Sequence, residues 1–116
     1  MKRNLLLLMV PLLGIGLVVS ASLLPGAEKQ VKILKFEADW CGPCQQMKPI
    51  FHRVSRTYSS DASFQSIDVD RNPTLADHYR IRSLPTVVAV KDGKVVGRKT
   101  GFLDERRLTE FVKRHR

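Results

Sequence analysis

The sequence predicts an α/β domain with the element order β-α-β-α-β-β-α, preceded by an N-terminal apolar helix. Three observations carry that expectation. Short apolar, β-branched runs alternate with segments whose apolar residues recur at helical spacing. An Asp92-Gly93 pair between two such runs signals a hairpin. Both cysteines of the 116-residue chain, Cys41 and Cys44, stand directly after the first run and open the first helical stripe.

Val31 to Ala38 reads as a strand. From Gly42 to Tyr58, Met47, Ile50, Phe51, Val54 and Tyr58 form one apolar stripe, so a helix packs against a core there. Pro49 removes an N–H inside it and should kink it. Ser63 to Val69 is a second strand, and Asp70-Arg71-Asn72-Pro73 is a turn that starts a short helix ending at Tyr79. Pro85 to Val90 reads as a buried strand, and Val95 to Thr100 as its hairpin partner. Asp104 caps a last helix whose inward face is Leu108, Phe111 and Val112.

Ahead of this domain, Lys2 and Arg3 precede an uncharged segment from Leu5 to Leu24. Twenty residues at 1.5 Å rise span roughly 30 Å, a bilayer's hydrocarbon thickness, so residues 1–24 are read as a signal-anchor. The rival reading is a cleavable signal peptide with small residues at Ser20, Ala21 and Ser22. Either reading leaves Lys2 and Arg3 in the cytoplasm and exports the rest. The expected localisation is thus extracytoplasmic, anchored through residues 5–24 or soluble after cleavage. Residues 25–30 serve as a linker, and residues 31–116 form one domain of about 90 residues.

The chain carries 20 Lys and Arg against 11 Asp and Glu, a net charge of +9. Nucleic acid is not the expected partner, because the basic residues are scattered and no aromatic-basic motif accompanies them. The tail Lys113-Arg114-His115-Arg116 ends a helix, where cations suit the dipole, and it would attract acidic partners or lipid surfaces.

The Cys-Gly-Pro-Cys spacing sets two thiols on the first turn of a helix, close enough to close into a disulfide and reopen. A helix N-terminus favours the thiolate, the species that attacks another disulfide. Thiol-disulfide exchange is therefore the expected chemistry. An inert structural disulfide is disfavoured, because so short a loop does little to constrain an unfolded chain. A structural zinc site needs four ligands, and His52, His78 and His115 show no paired spacing with the cysteines, so no metal is expected.

From about Lys32 onward the chain resembles thioredoxin. The resemblance rests on Trp40-Cys41-Gly42-Pro43-Cys44, Asp70-Arg71-Asn72-Pro73, the segment Tyr79 to Thr86, Asp92-Gly93 and Gly101, in order and without a gap between the cysteines, Asn72-Pro73 and Pro85. It implies a thioredoxin-like fold with a four-stranded mixed sheet. It also implies a cis bond before Pro85 beside the thiols, and a backbone at Leu84 that pairs with a substrate strand. By the same resemblance Cys41 is the nucleophile and Cys44 resolves the mixed disulfide. Trp40 shields the site, and Gly42 and Pro43 set the turn between the sulfurs.

Two departures from the family pattern stand out. The family's buried acid, six residues before the first cysteine, is here Lys35; Glu37, on the same strand face, would pair with it or take over proton transfer. The family's first strand and helix are replaced by the apolar leader. Leu34, Phe36 and Ala38 alternate with Lys35 and Glu37, and Ile67 and Val69 with Ser66, Asp68 and Asp70, which predicts a sheet wet on one face. On that reading Lys35 faces water, and the strand from Ser63 to Val69 is a sheet edge open to a partner.

The expected function is a protein-disulfide reductase or isomerase outside the cytoplasm, with the Cys41-Cys44 disulfide as its only redox group. Its substrates are protein thiols and disulfides. No flavin or nicotinamide motif and no second cysteine pair is present, so an upstream donor protein in the membrane must recharge it. Maturation of cytochrome or copper sites is a narrower version. A non-catalytic client-binding module and Cu(I) carriage by the thiolate pair are the alternatives from other classes.

Overall fold

The computed structural model describes residues 30–116. The expected leader at 1–24 and most of the linker lie outside the described residues. Among the described residues no helix is long and apolar enough to cross a membrane.

The elements are β1 (Val31–Glu37), α1 (Gly42–Thr57), β2 (Ala62–Asp68), α2 (Pro73–His78), β3 (Thr86–Lys91), β4 (Lys94–Thr100) and α3 (Glu105–His115). This is the expected order, and α1 runs through Pro49 without ending. The sheet order is β2-β1-β3-β4. β1 and β2 are parallel, as a crossover through a helix requires, and the other two pairs are antiparallel. Asp92 and Gly93 both take positive φ, 54° and 78°. That is what a tight two-residue hairpin whose twist matches its strands demands. The Arg107 N–H donates to Asp104 Oδ1 at 2.8 Å, so Asp104 caps α3.

One apolar cluster joins Val31 and Ile33 of β1 to Met47, Phe51 and Val54 of α1 and Leu108, Phe111 and Val112 of α3. A second, on the opposite face, joins Leu34, Phe36, Ile67, Val88 and Val90 to Leu75, Tyr79 and Ile81. Ile33, Phe36, Met47 and Leu108 are fully buried. Each such side chain contributes about 1.5–3 kcal/mol relative to exposure.

Both faces of β1 are therefore covered, which corrects the expectation of a wet face at Lys35. α1 lies across it. Lys35 has no exposed surface, and its Nζ stands 5.2 Å from the centre of the Phe51 ring and 2.7 Å from Glu37 Oε1. The alternation arises instead from two residues of opposite charge, i and i+2, held together by charge beneath a helix. The expectation holds farther out on β2, where Ser66 is exposed. Among the described residues β2 is a sheet edge, as expected.

Candidate active site

β1 ends at Glu37, and the chain turns through Ala38 to Cys41, whose N–H donates to Ala38 O at 3.1 Å. Cys41 is the N-cap of α1, with Pro43 in the first turn, where its missing N–H costs nothing. The Cys44 N–H points at Cys41 Sγ, 3.2 Å away. A sulfur so placed receives the unpaired amide and the positive end of the helix, both of which favour a thiolate. Gln45 Nε2 donates to Ala38 O at 3.1 Å and ties the helix start to the preceding turn.

Cys41 and Cys44 are joined in a disulfide, with Cα atoms 5.2 Å apart. Cys41 keeps 6% of its surface exposed and Cys44 none. An incoming thiol therefore meets Cys41 first. Ala38, Val69 and Leu84 pack around the pair. The Leu84–Pro85 bond is cis, as the resemblance implies. Thr86 Oγ1 donates to Ser83 O at 2.7 Å and Gly101 N–H to Pro85 O at 2.7 Å, which fixes this loop against β4.

Beside the sulfurs lies an open groove of about 420 Å³ lined by Trp40, Val69, Ala76, Ile81, Arg82, Ser83 and Leu84. Its walls are mostly apolar. Trp40 is 71% exposed, and its Nε1–H donates to Asp70 Oδ2 at 2.8 Å. Asp70 in turn sits in a turn whose Asp70 and Arg71 N–H groups donate to Asp68 Oδ1. A large apolar surface held out toward solvent by a side-chain hydrogen bond, next to an accessible sulfur, suits an extended polypeptide carrying its own cysteine.

Residues 22–114 match the family model described as Thioredoxin. A thioredoxin from Staphylococcus epidermidis is 36% identical over 88 residues, 76% of this chain and 85% of that protein. Among solved structures, Fasciola hepatica thioredoxin is 34% identical with a TM-score of 0.72, covering 77% of this chain and 84% of that one. A mutant thioredoxin from Halobacterium salinarum is 37% identical with a TM-score of 0.69, covering 75% of each chain. The chain belongs to the thioredoxin family. It is a thioredoxin-like disulfide oxidoreductase with a redox cysteine pair, and thioredoxins act on protein thiols and disulfides.

The structure brings Trp40, Cys41, Cys44 and Leu84 together with cis-Pro85, while Gly42 and Pro43 stand exposed over the pair. Lys35 and Glu37 lie beneath, on the strand that leads into the site. They line a separate cleft of about 390 Å³ with Lys48, Phe51, His52, Ser55, Phe64 and Ser66. Although Nζ and Oε1 are 2.7 Å apart, neither makes a directed hydrogen bond, so charge rather than alignment holds the pair. The roles of Asp70 in steadying Trp40 and of Gln45 in anchoring the helix start escaped sequence reasoning. Asp70 lies in the Asp70-Arg71-Asn72-Pro73 turn, but nothing local pairs residues 30 positions apart.

Proposed function

We propose that this thioredoxin-family chain acts as a reductase or isomerase of protein disulfides outside the cytoplasm, held at the membrane by residues 5–24. The observation that carries the chemistry is the Cys41-Cys44 disulfide at the start of α1, with one sulfur accessible beside the Leu84–Pro85 groove. The location rests on the uncharged segment Leu5 to Leu24 after Lys2 and Arg3.

In the reducing direction the Cys41 thiolate attacks one sulfur of a client disulfide. A Cys41–client S–S bond forms, the client's S–S bond breaks, and the first client sulfur leaves as a thiolate that takes a proton. Cys44 loses its proton and attacks Cys41 Sγ, which releases the second client thiol. Two electrons have passed to the client, and the chain is left as the disulfide seen here. The client backbone lies along the groove and pairs with Leu84. Trp40 covers the mixed disulfide, and Gly42 and Pro43 keep the sulfurs within bonding reach. Lys35 and Glu37 serve proton transfer: Glu37, 14% exposed, links the buried ammonium to solvent. Recharging in an oxidising compartment falls to a dithiol protein of the membrane.

The test is the reduction potential of the Cys41/Cys44 couple against defined thiol buffers. A value near the figure of about −270 mV known for thioredoxin supports a reductase with an upstream donor. One near about −120 mV would instead mark an oxidase and sink the reductase reading.

A further inference from the structure

The ends of the sheet differ in charge. β1 begins at Val31, paired with Ala62, and runs toward Cys41. The end where the chain enters the domain therefore also holds the β3–β4 hairpin, where Lys91 pairs with Lys94, the last turn of α1 and the C-terminus of α3. Lys32, Arg56, Lys94, Lys113 and Arg114 are exposed there, with Lys91 half-buried beside them. Among the described residues the acids at this end are Asp61, taken by Arg116 at 3.0 Å, and Asp92 in the hairpin turn. Beside the disulfide the charges balance, with Asp39 and Asp70 against Arg71 and Arg82.

Counting Arg116, that end, seven strand residues or about 23 Å from Cys41, carries seven cations against two acids among the described residues. That same end joins the linker. Residues 25–30 reach at most about 22 Å when fully extended, so an anchor at 5–24 would keep this end within that distance of the headgroups.

We infer that the basic end formed by Lys32, the β3–β4 hairpin and the C-terminus of α3 docks on an anionic phospholipid surface, which turns the Cys41 groove away from the membrane toward clients. The inference rests on the anchored reading above. Attraction of several exposed cations to acidic headgroups is electrostatic and screened by salt. It gives the linker a fixed orientation rather than mere proximity.

The full chain is reconstituted with vesicles of phosphatidylcholine alone and of phosphatidylcholine mixed with phosphatidylglycerol, and the acylation rates of individual lysines are read by mass spectrometry. On the anionic vesicles Lys94 and Lys113 should react several-fold more slowly than on neutral ones, Lys48 should not change, and added salt should remove the difference. The combined Lys94→Glu, Lys113→Glu and Arg114→Glu variant should still float with neutral vesicles and show no lipid-dependent protection of Lys32 or Lys91. Equal rates for Lys94 and Lys113 on both vesicles, with the chain floating on each, would overturn the docking. Failure to float on neutral vesicles would overturn the anchor instead. Equal protection by soluble polyglutamate would replace the lipid surface with an acidic polypeptide as the partner.

Discussion

Replacing Glu37 by Gln removes the carboxylate that faces Lys35 while keeping the side chain's size. Lys35 is wholly buried, its Nζ makes no directed hydrogen bond, and beyond the charge of Glu37 the Phe51 ring at 5.2 Å is its remaining favourable contact. Breaking a buried pair from one side costs about 3–5 kcal/mol, because an uncompensated charge is left behind. Glu37 keeps some exposure and the ring recovers part of the loss, which puts the expected cost near the lower figure, about 3 kcal/mol. With a urea slope of about 1–1.5 kcal/mol/M, the midpoint should fall by about 2–3 M at unchanged slope. Lys35→Met removes the desolvated ammonium itself and leaves Glu37 able to turn toward water, so it should change stability by less than about 1 kcal/mol. Urea unfolding followed by far-ultraviolet circular dichroism measures both. Equal losses for the two variants, or no loss for Glu37→Gln, would refute the claim that a one-sided buried charge governs this site. The same Lys35→Met variant tests the proton-transfer role: its pH profile of thiol exchange should shift, and an unchanged profile would remove Lys35 and Glu37 from the mechanism.

Other expectations concern sites around and away from the disulfide. Trp40→Phe loses the hydrogen bond to Asp70 and should cost at most about 1 kcal/mol while slowing client exchange, read from single-turnover rates. A Cβ at Gly97 would run into the His115 ring, which is half-buried at the end of α3 and can turn aside, so Gly97→Ala should cost no more than about 1 kcal/mol in thermal melts. His115 itself is held below the ordinary imidazole value of 6.5 by burial, with Arg114 adding to the effect. The unfolded chain then takes the proton first, so stability present above pH 6.5 should decline as pH falls through that value. His115→Gln should flatten that part of the stability profile, and an unchanged slope would contradict the assignment.

Most of the fold was legible because local signals agreed with each other. The continuous apolar run of β3 marked a central strand buried on both faces, and Asp92-Gly93 fixed the hairpin. The Cys41-to-Cys44 turn was equally plain, since a strand followed at once by a helix start leaves the thiols little freedom. Lys35 was misjudged because alternation along a strand reports charge, not cover. Only the path of α1 over β1 decides that the ammonium is buried. The Trp40–Asp70 bond and the close approach of His115 to Gly97 depend on elements far apart in sequence, so no local pattern announces them.

The central claim is that Cys41 attacks clients and Cys44 resolves the product. Cys44→Ser chain, reduced and mixed with a disulfide-bonded client protein, should accumulate a mixed disulfide whose mass maps to Cys41, while Cys41→Ser should trap little. Adducts on Cys44 in the Cys41→Ser protein at a comparable rate, or none on Cys41 in the Cys44→Ser protein, would contradict the account.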